Sequence, residues 1–245
     1  AVLCFIVMFK KHDILRTGRE DYYWDNQGIL RMLSIGIPMA LNYSITAIGT
    51  MILQSAINVF GSSTVAAFTA ASKVSNIATQ TFPTLGTAMA TYCGQNLGAG
   101  KYKRITQGMR QSFYLCFVAA ALAALICCCV GPFMVSWFIS NPSAETMNAA
   151  MQYLYTISAF MIPLGWIFIY RNGLQGLDRG FLPMLSGVVE LVSRYVVILI
   201  AAKPYGYLGV CFADPAAWLV TGIMLLIAYL AWKHQMSEQI KACEE

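Results

Sequence analysis

Charge is what this sequence has least of. Lys, Arg, Asp and Glu together make up 11% of its 245 residues, against 58% hydrophobic, whereas a soluble globular domain carries about 25% charged residues. So little charge cannot cover a water-facing surface, which excludes a soluble domain and directs most of the chain toward lipid. Histidine is almost absent: His12 and His234 stand alone, without ligand spacing, so no metal site is expected. A polytopic membrane enzyme would need a cluster of His, Asp, Glu or Cys at the membrane surface, and His12–Asp13 and Asp178 are isolated. No hydrophilic stretch between apolar runs is long enough for a separate domain.

What is present is apolar length. A helix needs about 20 apolar residues to cross a bilayer, and six runs qualify: Ile29–Val59, Val65–Gly94, Gln111–Val130, Tyr153–Tyr170, Phe181–Ala202 and Leu208–Trp232. The expected fold is all-α, an integral membrane bundle of six transmembrane helices. The first two runs are polar for lipid-facing helices, with Asn42, Gln54, Asn58, Asn76 and Gln80, and such helices line an interior more readily than they face acyl chains. Pro38, Pro83 and Pro163 each remove a helical hydrogen bond and are expected to kink their spans.

Eight cysteines do not form a disulfide framework, since most lie inside the spans. Neighbours on a helix point about 100° apart, so Cys127, Cys128 and Cys129 cannot converge on one ion. They read as small core hydrophobes.

Basic residues outnumber acidic ones by 16 to 11, yet their placement does not indicate nucleic acid. Lys10, Lys11, Arg16, Arg19 and Arg31 precede or open the first span, and "GSST" after it has none. Lys101, Lys103, Arg104 and Arg110 follow, then none in "GPFMVSWFISNPSAETMNAA". Arg171 and Arg179 come next, then Lys203 alone, then Lys233 and Lys241. This alternation is the positive-inside pattern, which places both ends of the six-span unit in the cytoplasm of a plasma-membrane protein.

"AVLCFIVMF" at the N-terminus has nine apolar residues, too few to span. Its charges follow the run, unlike those of a signal peptide. It reads as the tail of an earlier transmembrane helix in a longer protein. The expected organisation is therefore 1–9 helix tail, 10–28 cytoplasmic linker, 29–232 six-helix lobe and 233–245 cytoplasmic tail.

"AMATYCGQNLGAGKYKRI" (88–105) superficially suggests a phosphate loop. A Walker motif has four residues between its glycines and Ser or Thr after the lysine. Here five separate Gly94 from Gly100, and Tyr102 follows Lys101. The stretch reads as a helix ended by glycine, with lysines at the membrane interface.

The longer segment "VAAFTAASKVSNIATQTFPTLGTAMATYCGQNLGAGKYKRI" resembles the eighth helix and following loop of the multidrug and toxic compound extrusion (MATE) transporters. "RMLSIGIPMALNYSITAIGTMILQSAINVFG" is similar to their seventh helix, "IYRNGLQGLDRGFLPMLSGVVELVSRY" to their tenth–eleventh junction and "GVCFADPAAWL" to their twelfth. The resemblance implies one lobe of a twelve-helix, two-lobed protein, its partner an N-terminal six-helix lobe. It implies efflux of small organic cations by antiport with protons or sodium, with no other cofactor and no nucleic-acid partner. Family branches with coupling acids in the seventh and tenth helices differ from this chain, whose "GIPMALNYSITAIG" and "SAFMIPLGWIFIYRNG" contain none.

Charges inside spans are costly and mark candidate sites. Glu190 and Arg194 sit four apart on one face and can pair, either as a proton- or cation-sensitive switch or as a structural ion pair. Lys73 either serves gating or ion coupling, or snorkels to the interface. Asp214, beside Pro215, reads chiefly as a helix start. Gln54 with Asn58, and Asn76 with Gln80, form two polar stripes. Together with Asn42, Tyr43 and Tyr153 they are candidates for lining a substrate cavity, the tyrosines as cation–π walls; interhelical hydrogen bonding is the alternative. The rival functions are a lipid-linked saccharide flippase of the wider superfamily and, more remotely, a membrane enzyme.

Overall fold

The computed structural model describes residues 23–244, with side chains from 23 to 236. The run 1–9 and most of the 10–28 linker lie outside the described residues. The chain comprises two units, 1–34 and 35–245. In the first, Trp24 Nε1 donates to Asn26 Oδ1 at 2.6 Å, and helix α1 (Asn26–Asn58) begins there. The second holds the remainder of α1 and every later helix.

These are α2 (Ser62–Thr79), α3 (Thr81–Gly98) and α4 (Tyr102–Leu125). A π-helical turn (Ile126–Val130) then leads into α5 (Gly131–Phe138). The chain closes with α6 (Ala144–Ser158), α7 (Met161–Gly176), α8 (Phe181–Cys211) and α9 (Ala213–Glu244). No strand occurs among the described residues. Four helical stretches are long and apolar enough to cross a membrane, or five if the bent pair α6–α7 is one span. The remaining expected span, Val65–Gly94, is helical as α2 and α3 but is not among them.

Hydroxyls explain how such a polar pair is accommodated. Thr69, Thr79, Thr84, Thr87 and Thr91 each donate to the carbonyl four residues back. Each hydroxyl is thereby satisfied locally by backbone, without a partner from another helix.

Proline breaks two of the spans. A helical N–H at Pro83 would have bonded the carbonyl of Thr79, and α2 ends there. A helical N–H at Pro163 would have bonded the carbonyl of Ala159, and the α6–α7 break lies there with a 54° bend. Pro38 lies inside α1 without ending it.

The glycine stretch closes α3. Gly100 takes φ 68°, its N–H bonds Leu97 O, and Lys101 N–H bonds Asn96 O at 2.8 Å. This paired closure around a left-handed residue is the Schellman arrangement.

A second glycine sets a reversal. Gly206 has φ 58° and ψ −136°, a region open essentially to glycine alone, and it lies inside the helical stretch assigned to α8. A Cβ on Gly209 would strike the carbonyl of Ala201. In a straight helix those residues would be about 12 Å apart, so the chain folds back on itself. Arg194 then reaches Asp214 and Arg179 Nη2 reaches Gln235 Oε1, as nested pairs of an antiparallel hairpin require. The expected spans Phe181–Ala202 and Leu208–Trp232 are its two arms.

Of the three consecutive cysteines, Cys127 is buried, Cys128 half-buried and Cys129 exposed. The π-helical turn holds all three, and they point apart.

Candidate functional site

Three buried charges and one half-buried arginine form one connected row. Arg171 on α7 donates from Nη2 to Glu190 Oε2 at 2.8 Å. Arg194, one turn further along α8, donates from Nη2 to Glu190 Oε1 at 3.1 Å and from Nε to Asp214 Oδ1 at 2.7 Å. Positive and negative groups alternate, so the row is neutral as a whole. Both Glu190 oxygens are used, and Arg171 Nε donates to Ser186 Oγ at 3.0 Å. Ser186 in turn donates to Pro183 O. At the other end, Tyr153 OH donates to Asp214 Oδ2 at 3.4 Å. Glu190, Arg194 and Asp214 are 5%, 3% and 7% exposed. Desolvation on that scale is offset only when each ion is paired and hydrogen-bonded.

Position follows from helix geometry. At 1.5 Å per residue, Glu190 and Arg194 lie about 14 and 20 Å along the helix from Phe181, near the middle of a bilayer core about 30 Å thick. Asp214 sits in the first turn of α9, as its place beside Pro215 suggests. It also closes the ionic row.

One guanidinium nitrogen stays unused. Arg194 Nη1 is buried without a hydrogen-bond partner and lies against Gly49, where a Cβ would collide with it. Glycine at 49 is what lets α1 approach the guanidinium.

Beside this row is a cavity of about 460 Å³, within the range of small-molecule sites. Its polar lining is Thr50, Gln54, Ser72, Ser75, Asn76, Thr79 and Tyr153; Phe68, Phe168 and Trp218 supply aromatic faces, and Arg194 and Asp214 reach its wall. Phe68 and Tyr153 meet edge-to-face with centroids 4.8 Å apart, which fixes the tyrosine ring.

The sequence candidates divide accordingly. Gln54, Asn76 and Tyr153 line the cavity. Asn42 does not; it is buried and donates to Pro183 O at 2.6 Å, tying α1 to α8. Tyr43 is 64% exposed and is not part of this cavity's lining. Asn58 accepts from Gln54 Nε2 at 3.2 Å and is exposed, as is Gln80. Lys73 joins neither row nor cavity: it is exposed, with Nζ 5.2 Å from the Phe138 ring centroid, a cation–π distance. Two participants have roles in the row that sequence alone does not bring out. Arg171, expected in a basic connection, is half-buried within α7, and Asp214, expected chiefly as a helix start, also pairs with Arg194. A signal was available for each, since Arg171 follows an unbroken apolar run and Asp214 precedes one.

The MatE family model matches residues 38–200. Among curated proteins, "Probable multidrug resistance protein YpnP" of Bacillus subtilis (strain 168) is 28% identical over 174 residues, 71% of this chain and 38% of that protein. "Probable multidrug resistance protein YoeA" of the same organism is 21% identical over 95% of this chain and 51% of its own length. A protein named "FAD transporter" from Shewanella oneidensis is 24% identical over 95% and 50%. The chain thus spans about half the length, or less, of these relatives. Among solved structures, MATE in the straight conformation superposes with a TM-score of 0.81 at 15% identity, over 98% of this chain and 54% of that one. The bent form of the Vibrio cholerae transporter VcmN gives 0.80 at 16%, over 89% and 50%. The fold is therefore that of one MATE half-bundle, and the chain belongs to the MatE family of membrane transporters.

Proposed function

We propose that this chain is the C-terminal lobe of a secondary active transporter that expels organic cations by antiport with protons or sodium, through alternating access against a second six-helix lobe. The observation that carries the reading is the cavity. Its walls combine aromatic faces with amide and hydroxyl groups, and the Asp214 carboxylate stands at one side. Such a lining suits an amphipathic cation by face-on ring contact and hydrogen bonds, with modest charge selectivity because Arg194 already neutralises Asp214. The partial overlap with "multidrug resistance" relatives supports the same substrate class.

A flippase holding a pyrophosphate needs surplus positive charge. Among the described residues Arg194 is the one cation lining this cavity, and its charge is answered by two carboxylates, which favours efflux of cations over that alternative. For the coupling ion, Glu190 and Asp214 are already bound to arginines. Coupling is accordingly assigned mainly to an acidic residue of the partner lobe, with Glu190 as the second choice. The basic connections are assigned to the cytoplasmic side of the plasma membrane.

Efflux of a fluorescent organic cation from cells expressing the intact protein tests the cavity. Gln54→Leu and Asn76→Leu, at unchanged membrane levels, are expected to lose most transport, while the exposed Gln80→Leu keeps it. Equal transport by all three would overturn the assignment of cargo to this cavity.

A further inference from the structure

A second cavity, of about 400 Å³, opens between α4, α7 and α9, away from the ionic row. Arg110 and Lys233 stand at its rim, and Phe113, Tyr170 and Tyr229 form its apolar wall. Both cations are exposed, and neither meets a carboxylate among the described residues. Tyr170 and Tyr229 pack with centroids 5.4 Å apart. Their hydroxyls make no hydrogen bond to any described residue, so both remain able to donate.

Three features specify the occupant. First, Arg110 lies early in α4, Tyr170 late in α7 and Lys233 late in α9. The cavity therefore sits at the bundle end that carries Lys101, Lys103 and Arg104, at the level where a membrane's headgroups meet its hydrocarbon. Secondly, its flanks are lipid-facing: Tyr114 and Phe117 on α4 and Leu230 on α9 are 65%, 54% and 50% exposed on helices apolar enough to span. Thirdly, positive charge above an aromatic wall complements an anion carrying an apolar tail. Basic pockets between transmembrane helices at the cytoplasmic surface recognise acidic lipid headgroups in this way, and tyrosine favours the same depth.

We propose that this cavity binds the phosphate headgroup of an anionic phospholipid, with Arg110 and Lys233 holding the phosphate and the Phe113–Tyr170–Tyr229 wall covering the glycerol and upper acyl chain. The bound lipid bridges α4, α7 and α9. This ties the cavity side of α7, which carries Leu164 and Phe168, to the lipid composition around the protein. The site is separate from the efflux cavity and does not depend on what that cavity carries.

The test counts lipids bound to the intact purified protein by native mass spectrometry, titrating phosphatidylglycerol and phosphatidylcholine separately. Phosphatidylglycerol is expected to bind more tightly. Arg110→Gln and Lys233→Gln should each weaken it about fivefold, the share of one interfacial cation, and together abolish the preference. Arg110→Lys and Lys233→Arg should retain it, as should Lys103→Gln outside the cavity. Undiminished preference in the double glutamine variant would overturn the proposal, and so would inorganic phosphate competing as effectively as the lipid. Should the glutamine variants not fold, the unmodified protein still decides, since equal binding of the two lipids contradicts the site.

Discussion

Arg194 donates from Nε to Asp214 Oδ1 at 2.7 Å across the hairpin of α8 and α9, while its Nη2 holds Glu190 one turn back on its own helix. A single planar guanidinium thus fixes the two arms of this hairpin against each other. Two donors in fixed geometry are needed, and lysine, a point charge on a flexible stem, does not supply them. The hairpin exists because Gly206 permits the reversal; the arginine sets how its arms pack.

Arg194→Met should therefore destabilise the purified protein by roughly 3–5 kcal/mol, the cost of leaving a buried carboxylate unpaired. Arg194→Lys should recover only part of this. Asp214→Asn in the Arg194→Met background should recover more than additivity allows, because both ends of one pair are then removed. Thermal denaturation in detergent reads all three, and simple additivity would argue against the pair.

Gly49 provides a sharper probe of the same region. A methyl at position 49 meets Arg194 Nη1, whereas one at Gly36 on the same helix meets nothing within 4 Å. Gly49→Ala is expected to cost about 1–3 kcal/mol, as overpacking does. Gly36→Ala should be neutral or stabilising by up to about 1 kcal/mol, through helix propensity. Similar effects at the two sites would contradict the close approach of α1 to Arg194.

Pro163 accounts for the 54° bend between α6 and α7. Replacing it with alanine restores a donor for the Ala159 carbonyl and should straighten the span. Between spin labels at Asn148 and Gln175 a straight helix measures about 40 Å, and the bend shortens this by about 4 Å. Lengthening by that amount in Pro163→Ala is the expected result; an unchanged distance would assign the bend to packing against neighbouring helices.

Which features were legible in the sequence follows from how local each one is. Long apolar runs with alternating basic connections gave the helices and their order, because spanning length and interfacial charge are properties of each segment alone. The ion pair of Arg171 with Glu190 is not legible for the same reason. A basic residue followed by Asn and Gly at the end of an apolar run looks like a helix flank, and only the placement of Glu190 on the next helix draws it inward. Face arithmetic put Gln54 and Asn58 on one side of α1, correctly enough for them to hydrogen-bond each other. It could not say that only Gln54 meets a neighbouring wall. Asn42 likewise has the composition of a cavity residue, and its partner is a backbone carbonyl 141 positions away.

Ion-coupled export is tested by efflux of a fluorescent organic cation from energised cells expressing the intact protein, with the proton and sodium gradients collapsed separately. Efflux is expected to stop when one of the two gradients is removed and to persist without the other, and Glu190→Gln to slow it while leaving its ion dependence in place. Efflux indifferent to both gradients, or none at all despite normal insertion in the membrane, would contradict an ion-coupled cation exporter.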